Sequence, residues 1–358
     1  MFIVNICPGS GRILARPLAQ AQLRVRTNAQ RNSAPAPKDQ PHPTRPVTSA
    51  GRRPGKATVT TTTTTITTAP VNLDITPLSG TIGAEIRNVD LHQPLSAPTV
   101  AAVRQALLDY KVIFFPGQHL SAAEHKEFAT YFGEITNAHP VIPGIVEHRE
   151  VFEIDYSRAR QMLGVRKGER GEYETGDKWH TDVTFMETPP LGSILNAIVI
   201  PAAGGDTLWA DTQAAYDGLS TPFKDLVDGL TAIHDGTRSF GKLLEAVGKG
   251  EWDGKEFTEL TPVEHPVVRT HPETGRRSLF VNPGFTIKIK GLTSKESNAL
   301  LAFLYAHMAT PEYVVRYRWE AGDLGFWDNR TTMHYAITDY GDAHRVIQRV
   351  TIKGDKPF

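Results

Sequence analysis

Hydrophobic residues recur with helical spacing in three segments of the chain. Residues 97–110 carry apolar side chains at the spacing of an amphipathic helix, which predicts a helix over this range. Ser121 and Glu124 form a capping box, and the helix that they begin is predicted to end near Tyr131. A longer helix is predicted from residue 294 to about residue 308.

Uninterrupted apolar runs predict strands that are buried on both faces. Residues 112–115 read Val-Ile-Phe-Phe and are followed by Pro116 and Gly117, which end the strand. Residues 191–200 form a second apolar run. Short strands and helices that bring distant segments to one face favour an α+β, mainly β fold: a double-stranded β-helix (jelly-roll) core flanked by helices.

Two charged, glycine-containing segments, residues 157–177 and 234–257, lack a clear period. Long segments without regular structure inside a compact domain are usually lids or insertions. Residues 157–177 directly precede a His-x-Asp motif at residues 180–182. We therefore predict that residues 157–177 form an active-site lid.

The first 70 residues differ in composition from the rest. They contain ten Lys or Arg residues and a single acidic residue, Asp39, with a threonine-rich run at residues 58–68. Such a segment buries too little apolar surface to fold. We predict a disordered basic tail over residues 1–71 and one folded domain over residues 72–358. Three interpretations of the tail stay open: an organellar transit peptide, a start codon assigned too far upstream, and a functional basic arm.

The charge balance and the single cysteine narrow the possible functions. The 358 residues include 39 basic and 39 acidic ones, which gives no electrostatic basis for binding nucleic acid or an anionic membrane. No run of 18 apolar residues is present to span a bilayer. Cys7, the only cysteine, lies in the tail, so the predicted domain has no disulfide and no thiolate metal site. A cytoplasmic location is expected, with organellar import if the tail is a transit peptide.

Candidate metal ligands lie in two segments that are far apart in the sequence. His180 and Asp182 are separated by one residue in an apolar, β-branched context, which predicts a strand with both side chains on one face. His334 lies in a second strand-like segment, residues 326–334. Two imidazoles and a carboxylate make the facial triad that binds Fe(II) and leaves coordination positions open.

Two arginines follow His334 at a short distance. Arg345 and Arg349 are four residues apart in a β-rich run, so both can point into one cavity. The order His-x-Asp, a long gap, His, a short gap and Arg resembles the taurine dioxygenase family of Fe(II)/2-oxoglutarate-dependent dioxygenases, and within it the alkylsulfatase-like members. The resemblance covers most of the predicted domain and includes three further segments, residues 75–86, 204–209 and 354–358.

The resemblance implies roles for five residues in holding the metal and the co-substrate. His180, Asp182 and His334 correspond to the ligands of Fe(II). Thr207 and Arg345 correspond to the pair that binds the distal carboxylate of 2-oxoglutarate, which is consumed together with O2. The alternative, in which Thr207 is an ordinary strand residue and Arg345 a surface charge, stays open at this point.

The resemblance also implies a substrate site. His139 and Arg349 correspond to the residues that bind a sulfonate or sulfate group, and Ile142 and Val183 are predicted to line the pocket. Ile142 stands where taurine-specific enzymes have a tyrosine, and residues 175–176 are Thr and Gly where those enzymes have an acid and an amide. A buried ammonium group without a partner is costly. We therefore predict a small anionic organosulfur substrate with an apolar tail, such as a medium-chain alkyl sulfate or sulfonate, rather than taurine.

The implied reaction is hydroxylation of the carbon next to a sulfate ester or sulfonate. The product would collapse to an aldehyde and release sulfate or sulfite, while 2-oxoglutarate is converted to succinate and CO2. Two alternatives stay open: a related dioxygenase that acts on a carboxylate substrate (an aryloxyalkanoate or an amino acid), and a non-catalytic sensor that binds 2-oxoglutarate or a metal. The resemblance further implies a homo-oligomer, either a dimer or a tetramer.

Overall fold

The computed structural model describes residues 71–155 and 178–358, and β-strands predominate in these two ranges. The helices are α1 (Ala97–Tyr110), α2 (Ala122–Thr130), α3 (Thr212–Asp217), α4 (Thr221–Val227), α5 (Thr237–Val247) and α6 (Ser294–Met308). The first strands are β1 (Ile75–Pro77), β2 (Ala84–Ile86), β3 (Val112–Phe115), β4 (Phe152–Asp155), β5 (Gly192–Val199) and β6 (Thr207–Asp211). The middle strands are β7 (Thr231–His234), β8 (Gly250–Trp252), β9 (Lys255–Phe257), β10 (Val263–Pro266), β11 (Val268–Thr270), β12 (Arg277–Leu279) and β13 (Thr286–Ile289). The last strands are β14 (Val314–Tyr317), β15 (Leu324–Asp328), β16 (Thr332–Ala336) and β17 (Val346–Ile352).

Two sheets form the central layers of the fold. The larger has seven strands in the order β1-β2-β3-β15-β5-β17-β4, and the smaller has three in the order β14-β6-β16. Neighbouring strands in both sheets are antiparallel except β2 and β3. Aromatic rings fill the space between the sheets: the ring centroid of Trp209 lies 5.3 Å from that of Phe114 and 5.6 Å from that of Trp327. Two facing sheets, antiparallel except for one strand pair, agree with the predicted jelly roll.

Strand β3 shows why an uninterrupted apolar run is needed at the centre of the larger sheet. Val112 and Phe114 belong to the core between the two sheets, which includes Trp209. Ile113 and Phe115 belong to the core on the opposite face, which α1 and α2 cover. Because successive side chains of a strand alternate between its faces, a strand covered on both sides has no position for a polar residue.

The long helices begin and end where the sequence predicts. Ser121 accepts a hydrogen bond from the Glu124 N–H while the Glu124 carboxylate accepts one from the Ser121 N–H, which completes the predicted capping box of α2. Thr293 and Glu296 make the same reciprocal pair at the start of α6. Helix α1 has the predicted bounds and is capped by the hydroxyl of Ser96. Each reciprocal pair satisfies two backbone donors that a helix leaves unpaired.

The prediction that residues 234–257 lack regular structure is wrong. Helix α5 and the hairpin of β8 and β9 occupy most of this segment. Phe240 and Leu244, one helical turn apart, are the buried residues of α5. Gly241 and the charged residues around it obscured this apolar period, and Gly248 ends the helix with a left-handed φ of 83°.

Two sequence predictions fall almost wholly outside the residues that the structure describes. The disordered tail over residues 1–71 and the lid over residues 157–177 therefore stay predictions, as does the domain boundary at residue 72. Across residues 71–155 and 178–358, no helix has both the length and the apolar character that crossing a membrane requires.

Candidate metal centre and active site

His180, Asp182 and His334 come together in space, as the sequence predicts. One potential ligand atom from each of the three lies within 4.8 Å of the others. The backbone N–H of each histidine donates to the carbonyl of the other, at 2.9 and 2.7 Å, and the ring centroids lie 4.1 Å apart. This antiparallel bridge joins His180 to β16, so backbone pairing between distant segments places both imidazoles side by side.

The predicted strand through Asp182 is wrong. His180 makes only an isolated bridge, and residues 182–185 form a turn. Val183 has a φ of 56°, in the left-handed region that a β-branched residue rarely adopts. The Met186 N–H donates to the Val183 carbonyl at 3.0 Å and closes the turn. Asp182 therefore reaches the two histidines from a turn, and not from the face of a strand.

Both histidines are neutral at neutral pH. The Nδ1–H of His180 donates to the carbonyl of Lys178 at 2.8 Å, which leaves Nε2 with its lone pair free to bind a metal. Burial lowers the pKa of His180, against the effect of Asp182. Burial, and then the neighbouring His180, lowers the pKa of His334 to about 3. Neutral imidazole is the form that coordinates metal ions.

Asp182 is ionised, and both of its oxygens have protein partners. Burial alone would raise its pKa, but Arg349, the two histidines and Ser193 outweigh this effect and lower the pKa to about 2. The Ser193 hydroxyl donates to Oδ2 at 2.6 Å, and Nη1 of Arg349 donates to Oδ1 at 2.5 Å. Two neutral imidazoles and one carboxylate are the donor set that suits Fe(II) with open coordination positions. The residues present therefore fit this metal.

Arg349 and His139 lie beside the candidate metal ligands. Arg349 is 8% exposed, and its Nε and Nη2 atoms are buried without a hydrogen-bond partner in residues 71–155 and 178–358. Its guanidinium lies 5.2 Å from the ring centroid of Phe152. Nδ1 of His139 accepts hydrogen bonds from the N–H groups of Val141 and Ile142 at 3.1 and 3.2 Å, so the proton of the neutral ring is on Nε2. Burial, and then Arg349, lowers the pKa of His139 to about 3.

Arg345 and Thr207 lie near one end of β6. Nε of Arg345 donates to the carbonyl of Gly205 at 3.1 Å. A Cβ at Gly205 would lie 3.0 Å from Cδ of Arg345, so a glycine permits this close approach. The Thr207 hydroxyl accepts a hydrogen bond from Nε1 of Trp319 at 2.9 Å and keeps its own proton to donate. Both residues are buried, and Arg345 is not a surface charge.

An apolar cluster lies next to His139 and the candidate metal ligand His180. Ile142 and Val183 belong to one apolar cluster with Phe240 and Phe285. The ring centroid of Phe240 lies 4.4 Å from that of His139. We call this cluster the apolar wall; its members are Val141, Ile142, Val183, Phe185, Met186, Phe240, Leu243, Leu244, Trp252, Phe257, Leu260 and Phe285.

Sequence reasoning missed several residues that contact this site. Phe240 lies in residues 234–257, which lack a clear period in the sequence. Phe152 lies outside the motifs that point to the site. Ser193 lies in the second predicted apolar strand, where a single hydroxyl gives no signal of its role. Asn329 reaches the site through Ser193, to which its Nδ2–H donates at 2.8 Å. Its position in residues 326–334, the segment that contains His334, is a signal that could have found it.

Comparisons with known proteins agree with this geometry. Residues 74–351 match the family described as "Taurine catabolism dioxygenase TauD, TfdA family". An alpha-ketoglutarate-dependent sulfate ester dioxygenase from Pseudomonas putida is 42% identical over 298 residues, which cover 82% of this chain and 94% of that protein. An alkylsulfatase from Acinetobacter baylyi is 38% identical over 287 residues, which cover 79% of this chain and 86% of that protein.

Solved structures give the same result. The crystal structure of a taurine dioxygenase from Burkholderia xenovorans matches with a TM-score of 0.65 and 40% identity, over 80% of this chain and 90% of that chain. The matches confirm the predicted family and fold class. They also confirm the predicted enzyme class, a dioxygenase that depends on Fe(II) and 2-oxoglutarate. The chain belongs to the taurine catabolism dioxygenase TauD, TfdA family.

Proposed function

We propose that this protein hydroxylates the carbon next to a sulfate ester or sulfonate group on an alkyl substrate. The product then collapses to an aldehyde and sulfate or sulfite. The observation that carries the proposal is the position of Arg349, a buried guanidinium with two unpartnered donor atoms within the described residues, beside Asp182 and the ring of Phe152. The names of the relatives from Pseudomonas putida and Acinetobacter baylyi support a sulfate ester as the substrate class.

Five residues are proposed to hold the metal and the co-substrate. His180, Asp182 and His334 would ligate Fe(II). Arg345 and Thr207 would bind the distal carboxylate of 2-oxoglutarate, since a guanidinium and a hydroxyl donor near one strand end suit a carboxylate. Fe(II) with 2-oxoglutarate and O2 supplies the oxidising power to hydroxylate an unactivated carbon. The protein contributes binding, orientation and exclusion of water.

The anionic head group is proposed to bind between Arg349 and His139. Nε and Nη2 of Arg349, which have no partner in the part of the chain that the structure describes, give charge-assisted donors. His139 adds a neutral Nε2–H donor because its Nδ1 already accepts hydrogen bonds from two backbone N–H groups. A buried donor without a partner costs free energy, which an anionic oxygen would recover. Because Arg349 also contacts Asp182, an anion bound there lies close to the metal ligands. The carbon that carries the anion would then be the carbon nearest the metal.

The apolar wall favours a substrate with an alkyl tail over a substrate with an amine. Ile142, Val183 and Phe240 all belong to it, and its members carry no charge. An ammonium group placed against these side chains would lose its hydration without gaining a partner. Each buried methylene of an alkyl tail, in contrast, contributes about 0.8 kcal/mol.

A substrate panel tests the proposal. Fe(II), 2-oxoglutarate and air are supplied with 2-ethylhexyl sulfate, hexanesulfonate, taurine or phenoxyacetate, and succinate, aldehyde, sulfate and sulfite are measured. Sulfate or sulfite released in step with succinate from the alkyl substrates supports the proposal. Turnover of phenoxyacetate alone would move the protein to the carboxylate alternative. Taurine turnover equal to that of 2-ethylhexyl sulfate would contradict the role proposed for the apolar wall.

The predicted homo-oligomer and the cytoplasmic location stay part of this proposal. Light scattering coupled to size-exclusion chromatography distinguishes a dimer or a tetramer from a monomer. Cell fractionation of the full-length chain, and of a chain that begins at residue 72, shows whether residues 1–71 direct the protein to an organelle.

A further inference from the structure

A chain of three buried hydrogen bonds ends on the carboxylate of Asp182. Nε1–H of Trp327 donates to Oδ1 of Asn329 at 2.9 Å. Nδ2–H of Asn329 donates to Oγ of Ser193 at 2.8 Å. The Ser193 hydroxyl donates to Oδ2 of Asp182 at 2.6 Å. All four side chains are buried.

The hydrogen bonds of this chain run in one direction. An indole N–H can only donate, so the Asn329 amide must present its oxygen to Trp327 and its NH2 group to Ser193. The Ser193 oxygen then accepts from Asn329, which directs its single hydrogen toward Asp182. A hydroxyl by itself can rotate to donate or to accept. Here the indole of Trp327 fixes the orientation of the Asn329 amide, and the amide in turn fixes the Ser193 hydroxyl as a donor to Asp182.

The two sheet strands that carry this chain are paired. Trp327 on β15 lies directly opposite Ser193 on β5. Asn329 follows two residues after Trp327, while Asp328 between them accepts from Arg330 and His271 instead. Residues 327–330 therefore contribute to two hydrogen-bond networks. Trp327 and Asn329 belong to the network that ends on Asp182, and Asp328 and Arg330 belong to the other.

We propose that Ser193 is a positioning residue for Asp182, oriented by Asn329 and Trp327, and this inference rests on the metal-binding role in the proposed function. The Ser193 hydroxyl binds Oδ2 while Nη1 of Arg349 binds Oδ1, so the two hydrogen bonds together fix the orientation of the Asp182 carboxylate. The Ser193 hydroxyl also limits the contact with Arg349, whose Nη2 has no partner in the described residues. Without the hydroxyl, Asp182 is free to form a bidentate pair with Arg349, which would withdraw both from metal and substrate.

Binding of Mn(II) to the metal-free protein tests this role without turnover. Isothermal titration with Mn(II) compares the wild type with Ser193→Ala and Asn329→Ala, and thermal unfolding checks that each variant folds. Loss of partners that orient a metal ligand typically weakens metal affinity about 10-fold to 100-fold. We expect a loss in this range for Ser193→Ala and a smaller loss for Asn329→Ala. Because both act through one hydroxyl, the double variant should bind Mn(II) no more weakly than Ser193→Ala alone.

Thr351→Val is the matched control. Thr351 is a buried hydroxyl residue on β17, directly opposite Ser193 on the other side of β5, and it bonds to Thr136 instead of Asp182. Loss of the Thr351 hydroxyl should leave the Mn(II) affinity within about threefold of that of the wild type. A Ser193→Ala variant that unfolds normally and binds Mn(II) as tightly as Thr351→Val would overturn the inference, and so would additive losses in the double variant. If the wild type itself bound no Mn(II), the result would contradict the proposed metal site, and with it the role of Ser193 that depends on that site.

Discussion

Nη1 of Arg349 lies 2.5 Å from Oδ1 of Asp182, so the residue proposed to bind the substrate anion is ion-paired with a proposed metal ligand. Both side chains are buried. The proposed metal site and the proposed substrate site therefore share one carboxylate–guanidinium pair. Nε and Nη2 of Arg349 have no partner among residues 71–155 and 178–358, and an anion that binds them would leave this pair intact, since a guanidinium has five N–H donors.

Removal of Asp182 should cost stability as well as metal binding. Asp182→Ala leaves Arg349 buried without its anion, and breaking a buried pair in this way typically costs about 3–5 kcal/mol. Urea unfolding of the metal-free protein measures the loss. Asp182→Ala combined with Arg349→Met should recover most of the lost stability while still failing to bind Mn(II). A single variant as stable as wild type would show that the ion pair does not form in solution.

The two arginines should have separable effects. Arg349→Ala should raise KM for an alkyl sulfate about 10-fold to 100-fold, the cost of losing hydrogen bonds to a charged group, with little change in KM for 2-oxoglutarate. Arg345→Ala should do the reverse. Initial rates of succinate formation measure both constants, and Arg87→Ala, at an exposed ion pair with Glu85, is the control. Equal effects of both variants on both ligands would contradict the division of roles.

The sequence predicted that His180, Asp182 and His334 come together because their order and flanking residues are specific, although the local structure predicted for Asp182 was wrong. Residue alternation around His180 is typical of a strand. The φ of 56° at Val183 turns the chain away after one bridge, and a β-branched residue gives no warning of such a conformation. Motif spacing therefore predicted which side chains cluster more reliably than it predicted the backbone conformation.

Residues that act through tertiary contacts could not be predicted in the same way. Ser193 precedes Asn329 by 136 positions, and only the pairing of β5 with β15 brings them together. Phe240 was hidden because glycine and charged residues obscured the helical period of α5. In contrast, the capping box at Ser121 was predictable, since both of its hydrogen bonds depend on neighbouring residues alone.

A side chain at Gly284 should disturb the metal site. A Cβ at this position would lie 2.8 Å from Cβ of His180, a distance that forces one of the two to move. We expect Gly284→Ala to weaken Mn(II) binding by about tenfold, the smaller of the losses that typically follow when the residues that orient a metal ligand are changed. Gly80→Ala is the control, because no atom lies within 4 Å of a Cβ there. Titration with Mn(II) measures both variants, and equal affinities would show that His180 tolerates the displacement.

The apolar wall should determine how activity depends on tail length. Phe240→Ala removes a ring that lies 4.4 Å from His139. Each methylene that packs on the wall contributes about 0.8 kcal/mol, or about fourfold in kcat/KM. The increase in kcat/KM from butyl to octyl sulfate should become shallower in Phe240→Ala and stay unchanged in Phe303→Ala, which removes a partly exposed ring on α6, outside the apolar wall. If kcat/KM increased equally with tail length in the wild type, Phe240→Ala and Phe303→Ala, the alkyl tail of the substrate would not bind at the apolar wall.

Acid should destabilise the fold through His125, a residue outside the active site. His125 is fully buried, its Nε2–H donates to the Ile194 carbonyl at 3.1 Å, and burial lowers its pKa to about 4. Between pH 6.5 and 4 the unfolded chain binds a proton that the folded chain does not, so the free energy of unfolding falls as the pH is lowered through this window. The loss attributable to His125 is on the order of 3 kcal/mol and is complete below pH 4.

Urea unfolding of the metal-free protein between pH 7.5 and 4.5 measures this dependence. His125→Gln keeps an N–H donor for the Ile194 carbonyl but cannot titrate, so its stability should fall less steeply than that of wild type. His92→Gln is the opposite control. Contact with Glu124 raises the pKa of the exposed His92, so its contribution to stability is present at low pH and is lost as the pH rises. Identical slopes for wild type and His125→Gln would show that His125 is protonated without unfolding.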